Sequence, residues 1–259
     1  MFCNRREFIT LAAGGIAVNL LGPVTRVLAG EPFSKLPLKA IAFDAFPIFD
    51  PRQVFALAEQ LFPGNGNNLS NAWRTRQFEY TWLRVTAGNY ADFWQVTREA
   101  LEFAADQLKL ELTQEKRERL MNAYLELKTW PDVMPALTSL KKSGFRLSLL
   151  SNLTPAMLDA DVKSAGLTGM FEQILSTDQA KTYKPDPRAY QLGVDALGLK
   201  RNEILFVAFA GWDAAGAKLF GYPTFWVNRQ HLPPERMGAV PDGTGETLTQ
   251  LVQFLARYE

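Results

Sequence analysis

The chain has 259 residues, of which 47% are hydrophobic and 21% charged, enough for one large core or a core with a smaller companion domain. Its net charge of +1 comes without any long block of like charge, so nothing points to a nucleic-acid or anionic-membrane partner. Cys3 is the one cysteine and His231 the one histidine, which excludes disulfides, thiolate catalysis and Cys/His zinc sites. A Ser-His-Asp triad would have to recruit His231 from the Pro-rich segment Gln230-His231-Leu232-Pro233-Pro234, a surface-loop setting. Catalysis therefore falls to carboxylates, Lys, Arg and hydroxyls.

Residues 1–30 differ in character from the rest of the chain. Asn4-Arg5-Arg6-Glu7-Phe8 precedes the soft apolar run LAAGGIAVNLLG, and small residues surround Ala29 and Gly30. A basic start, a short apolar middle and a small-residue cut site form an export signal, and the paired arginines before Phe8 resemble the twin-arginine type. The run is too short to span a bilayer. Cleavage there would remove Cys3 and leave a protein that works in the periplasm, exported by the twin-arginine machinery. The competing readings are an uncleaved anchor or a misassigned start codon.

Residues 38–43 have the length and apolar content of a buried parallel-sheet strand, and Asp44 falls where that strand ends. In open α/β sheets the ligand crevice lies outside the carboxyl ends of the strands, so Asp44 is a candidate nucleophile; the plain alternative is a turn or helix cap. From residue 51 the pattern turns helical and stays so to about 129, interrupted by the turn cluster at 63–68. Helices are expected over 54–62, 69–85, 90–108 and 113–127, the last opened by a Thr113 cap. Beyond Trp130, strands at 145–150, 171–176, 204–209 and 223–227 alternate with helices at 135–143, 155–165, 187–197 and 214–220; 233–245 reads as loop. The fold class is α/β: a Rossmann-like core with a parallel sheet and helices on both faces, formed by 31–50 and 130–259, plus an inserted all-helical cap domain over 51–129.

The residues just past each strand are Asp44, Ser151 with Asn152, Lys184 and Asp213. If the strands are parallel, these groups converge on one crevice. A carboxylate nucleophile needs a cation beside it, a hydroxyl or amide for the substrate and a second base for water, which these residues supply. Taken singly, Ser151-Asn152 reads as a turn, Lys184-Pro185-Asp186-Pro187 as a loop and Asp213 as a helix N-cap.

These residues resemble the haloacid dehalogenase superfamily and, within it, the (S)-2-haloacid dehalogenases. The resemblance rests on AFDAF at 42–46, WRTRQFEYTWLR at 73–84, LLSN at 149–152, YKPDPRAY at 183–190 and WDAAGAKLFGYPTFWVNR at 212–229. It implies hydrolysis of a small 2-haloacid without metal or cofactor: Asp44 displaces the halide with inversion, and water cleaves the resulting ester. By the same resemblance Arg74 and Asn152 receive the halide and Ser151 binds the substrate carboxylate. Lys184 pairs with Asp44, Tyr190 supports that pair on the substrate side, and Asp213 activates water. Phe46, Phe78, Phe93 and Trp212 line the apolar pocket, though aromatic residues in the insertion also read as its core. Homodimers are common in the family, an analogy only.

The chain departs from the family pattern at two places. After Asp44 the family has a Gly-Thr loop, whereas Ala45-Phe46-Pro47-Ile48-Phe49 is one residue shorter and has no hydroxyl. Before Trp212 the family has Ser-Ser-Asn-Ala, whereas Ala208-Phe209-Ala210-Gly211 stands here. The resemblance thus keeps ester formation and weakens ester hydrolysis. A phosphatase would want a second Asp two residues after the nucleophile, and Phe46 is there instead. The rival from another class is an exported protein that keeps the fold and binds an organic acid.

Overall fold

The computed structural model describes residues 38–257; the expected export signal lies outside them. β1 (Ala40–Phe43) is AIAF, buried at every position. After it come β2 (Phe49–Asp50) and four helices: α1 (Arg52–Leu61), α2 (Gly66–Thr86), α3 (Phe93–Gln107) and α4 (Gln114–Asn122). β3 (Lys128–Thr129) then returns antiparallel to β2, Phe49 opposite Thr129, so the helical segment leaves and rejoins the chain at one short ribbon.

The remainder alternates: α5 (Val133–Lys142), β4 (Arg146–Ser151), α6 (Pro155–Ser164), β5 (Gln173–Ser176), α7 (Pro187–Leu197), β6 (Ile204–Ala208), α8 (Gly211–Phe220), β7 (Thr224–Val227), β8 (Gly243–Gly245) and α9 (Leu248–Leu255). The main sheet has the order β5-β4-β1-β6-β7-β8, with every pair parallel. Phe43 stands opposite Leu149 and Val207, which brings the carboxyl ends of the three central strands to one edge.

The two-residue period of the strands sorts their side chains between two cores. Ile41, Phe43, Leu147, Leu149, Leu205 and Val207 pack on one face, against Leu137, Leu158 and Leu251 of α5, α6 and α9. Ala40, Ala42, Leu150, Phe206 and Ala208 pack on the other, against Tyr190, Ala214 and Phe220 of α7 and α8. Because β1 is covered on both faces and paired on both edges, a polar residue can follow it only at its end, and that residue is Asp44.

Local sequence rules set most boundaries. Side chains of Asp92, Thr113, Thr154 and Thr247 cap α3, α4, α6 and α9 by accepting backbone N–H bonds. Gly221 ends α8 at φ +104°, a conformation L side chains rarely adopt.

Three expectations need correction. The turn cluster at 63–68 is shorter than expected, because α2 begins at Gly66. A Cβ on Gly66 would come within 2.2 Å of Glu59 Cα, so glycine there is what lets α2 start against α1, and packing overrides the weak helix propensity of Gly-Asn-Asn. The helix expected over 113–127 stops at Asn122 and finishes as a 3₁₀ turn, Ala123–Leu125. The loop expected over 233–245 contains β8, which extends the sheet beside β7, and is followed by α9.

Where the chain leaves the helical segment, Leu127 donates its N–H to Oδ1 of Asp161 on α6 at 2.9 Å, while Asp161 Oδ2 is buried with no hydrogen-bond partner among the described residues. Burial pushes this carboxyl up to about 7, against the opposing pull of the Leu127 N–H. The native state thus holds a proton that the unfolded chain, with an ordinary Asp near 3.9, releases; stability falls as pH rises between those values. Asp161→Asn keeps the acceptor for Leu127 and removes the charge. Thermal unfolding should show the variant gaining on the order of 1–4 kcal/mol at pH 8, a few degrees in Tm, with a flatter dependence between pH 5 and pH 8. A variant melting below the wild type at pH 8 would contradict this.

Candidate active site

The carboxyl edge of the sheet carries a buried ion triad. Asp44 follows β1 directly and continues its ladder, its N–H bonding to Val207 O at 2.9 Å. Lys184 Nζ donates to Asp44 Oδ1 at 2.7 Å and to Asp213 Oδ2 at 2.6 Å. Tyr190 completes the set by donating its hydroxyl to Asp213 Oδ1 at 2.7 Å. These groups come from β1, from the segment before α7, from α7 itself and from the first turn of α8, yet they share one cluster of hydrogen bonds.

The local chain explains each position. Asp213 sits in the first turn of α8, where the helix N-terminus favours an anion. It is not the helix cap; Ala210 holds that place, without a side-chain acceptor. Gly216, a turn further on, lets Tyr190 approach α8: a Cβ there would lie 2.6 Å from the phenol oxygen. The backbone N–H of Lys184 donates to Asn152 Oδ1 at 3.0 Å, and Thr177 Oγ1 donates to the same oxygen at 3.2 Å. Since a backbone N–H can only donate, that contact identifies the amide oxygen and leaves Asn152 Nδ2 for other partners.

Burial opposes the charge on Lys184, but Asp213 and Asp44 outweigh it and hold the ammonium above the ordinary lysine value. Burial also raises Asp213; Lys184 pulls it down, Asp44 pushes it up again, and it stands at about 6. Tyr190 is held well above the usual phenol range by burial and then by the charge of Asp213, so it stays a donor. One ammonium between two carboxylates leaves the cluster with excess negative charge, the condition for a reactive carboxylate.

Above the triad lies a cleft of about 350 Å³ between the helical segment and the sheet edge. Asp44, Lys184, Asp213, Ser151 and Asn152 line its floor; Phe46, Phe78, Phe93 and Trp212 line its walls. Phe78 and Trp82 of α2 meet Trp212 edge-on, at 5.3 and 5.5 Å between ring centroids, joining helical segment to core. Arg74 also lines the cleft and, among the described residues, carries no ion pair. Ser151 Oγ accepts the N–H of Leu153 at 3.2 Å, which leaves its own proton free.

Tyr190, expected on the substrate side, is fully buried and does not line the cleft; it supports the Lys184 pair through Asp213. Sequence reasoning also missed several contributors. Thr177 stands just past β5 and was open to the same strand-end rule that found Asp44. Phe209, Trp82 and Glu235 also line the cleft, and no periodic pattern marks them.

The family model for haloacid dehalogenase-like hydrolases matches residues 38–221. An (S)-2-haloacid dehalogenase from Pseudomonas sp. (strain YL) is 43% identical over 218 residues, covering 84% of this chain and 94% of the relative. The solved L-2-haloacid dehalogenase RSc1362 superposes with a TM-score of 0.84 at 43% identity, covering 85% of this chain and 99% of that one. An L-2-haloacid dehalogenase from Xanthobacter autotrophicus, solved with chloropropionic acid covalently bound, superposes with a TM-score of 0.78 at 34% identity, covering 85% and 98%. With the parallel sheet, the strand-end carboxylates and this match across most of its length, the chain belongs to the haloacid dehalogenase-like hydrolases.

Proposed function

We propose that this protein hydrolyses small (S)-2-haloacids through an ester on Asp44. The observation that carries the reading is the pairing of Lys184 with both Asp44 and Asp213 beneath an aromatic cleft whose further cation, Arg74, is unpaired among the described residues. A halide leaving group and a substrate carboxylate both need positive or N–H partners in a dry pocket, where such contacts are stronger than in water. Arg74 and Asn152 Nδ2 suit the halide, and the Ser151 hydroxyl suits the carboxylate. That a relative carries chloropropionic acid covalently bound agrees with an ester step.

In the first step an Asp44 oxygen bonds to C2 as the carbon–halogen bond breaks and the halide departs with the electron pair. In the second, water adds to Asp44 Cγ while Asp213 takes one of its protons; the Cγ–O bond to the substrate breaks, Asp213 hands that proton to the departing oxygen to give the 2-hydroxy acid, and the new Asp44 carboxyl loses its proton to solvent, restoring both carboxylates. The first step uses Asp44, Lys184, Arg74 and Asn152, all facing the cleft. The second relies on Asp213, whose oxygens already serve Lys184 and Tyr190, with Ala208, Phe209 and Ala210 nearby where the family pattern is polar. Supporting polar groups of this kind are worth ten- to a hundredfold in rate, so ester hydrolysis limits turnover.

With (S)-2-chloropropionate, halide should appear in a burst equal to the enzyme present, followed by slow turnover, and mass spectrometry should find an adduct on the peptide containing Asp44; the mirror image should give neither. Asp44→Asn should remove both phases. Ala210→Asn, which adds a favoured cap to α8 beside Asp213, should speed the slow phase about tenfold and leave the burst unchanged. The slow phase should weaken at low pH, as Asp213 takes up a proton and ceases to act as a base, and it should do so below about 6, because the ester removes the Asp44 charge that raises Asp213 in the free enzyme. Absence of burst and adduct with every 2-haloacid tried would favour an exported protein that binds an organic acid.

We extend the proposal to export through the twin-arginine route, on the sequence of residues 1–30. Replacing Arg5 and Arg6 with lysine should leave the precursor in the cytoplasm; a wild-type protein found there unprocessed would refute it.

A further inference from the structure

The loop after Asp44 has a proline without an N–H and no hydroxyl, and its own restraint is one turn, in which the N–H groups of Ile48 and Phe49 donate to Ala45 O at 3.0 and 2.8 Å. The carbonyls that follow Ala45 are held by other parts of the chain. Phe46 O accepts the Trp130 indole N–H at 2.9 Å, Pro47 O accepts from Arg229 Nη2 at 3.3 Å, and Ile48 O accepts the backbone N–H of Trp130 at 3.2 Å. Consecutive carbonyls of the loop are thus all bound by two residues that lie far from it in sequence.

Those two residues are themselves fixed. The guanidinium groups of Arg52 and Arg229 each lie over the Trp130 ring, 4.5 Å from its centroid. Arg229 is paired with Asp132 at 2.9 and 3.0 Å, and Asp132 in turn accepts the N–H of Leu248 at the start of α9. Trp130 and the Arg229 side chain are each 9% exposed, and cation–π contacts gain strength when desolvated. The clamp therefore ties the loop to the sheet core and to the point where the helical segment rejoins it.

Its effect reaches the reacting group through the backbone of Phe46, whose carbonyl and N–H lie in neighbouring peptide units. Phe46, whose carbonyl Trp130 holds, donates its N–H to Asp44 Oδ2 at 3.3 Å, while Lys184 holds Oδ1. A hydrogen bond that long weakens quickly if its donor tilts. The geometry points to Trp130 and Arg229 as positioning residues for Asp44: by holding the carbonyls of Phe46 and Pro47 they add to the turn on Ala45 the restraint that keeps the Phe46 N–H, and with it the carboxylate, in the orientation for attack. This rests on the reading of Asp44 as the nucleophile.

Trp130→Phe keeps an aromatic ring against the two guanidinium groups and removes only the indole donor. In rapid-quench experiments with (S)-2-chloropropionate, its rate constant for adduct formation should fall about five- to tenfold while the burst amplitude, which counts competent sites, stays at the wild-type value. The substrate concentration giving half-maximal rate should not change. A purely structural role would instead lower the amplitude and the melting temperature and leave the rate constant per site intact, and that result would overturn the inference. Arg229→Gln, which gives up the Asp132 ion pair, should likewise slow adduct formation per competent site; a wild-type rate constant in both variants overturns the inference and leaves the nucleophile assignment standing. A wild-type enzyme that forms no adduct overturns both.

Discussion

The site depends on one buried ammonium. Lys184 is 1% exposed and sits between Asp44 and Asp213, which the sheet delivers from opposite ends of the sequence. Without it, two carboxylates would face each other in a desolvated pocket, and one would have to take up a proton. Breaking such a buried set by removing one partner costs about 3–5 kcal/mol, so the charges that carry the chemistry also constrain the packing. The surroundings follow from this: Asn152 and Thr177 fix the backbone of Lys184, Tyr190 occupies the far oxygen of Asp213, and Gly216 leaves room for the phenol.

The same arrangement separates the two halves of the proposed reaction. Asp44 faces an aromatic cleft with an arginine that is unpaired among the described residues, where the proposed reaction would strip halide of water and receive it. Asp213 is enclosed, its oxygens spoken for, and the segment before α8 offers it Ala208 and Ala210, with Phe209 lying against Phe46 at 6.2 Å and Trp130 at 6.4 Å. Aromatic packing thus occupies the ground between the nucleophile loop and the start of α8. It suits displacement at carbon better than delivery of water.

Much of this was legible in the sequence, for identifiable reasons. β1 could be read because a central parallel strand must be apolar throughout, and Asp44, Ser151 and Asp213 because polar groups just past such strands face the crevice. The aromatic walls at Phe78, Phe93 and Trp212 were open to two readings, and the cleft they line does not remove the second, since Phe93 is also core. What could not be read depends on tertiary distance. Nothing near Tyr190 in sequence says that its hydroxyl lies beside Asp213, nor does anything near Trp130 place it over the nucleophile loop. β8 escaped because Gly243 lies against Phe225 and Phe254, and Gly245 against Phe225 and Gln250, too closely for side chains, so the strand has no apolar alternation to find. α2 began early because contact with α1 outweighs propensity.

The most direct test of a covalent Asp44 intermediate follows oxygen. In a single turnover with excess enzyme in H₂¹⁸O, the hydroxy acid should leave with an unlabelled oxygen taken from Asp44, and the label should appear in the Asp44 carboxylate, detectable in the peptide that contains it. Label found in the product of that first turnover, with Asp44 unlabelled, would mean that water attacks the substrate directly and that Asp44 is not the nucleophile.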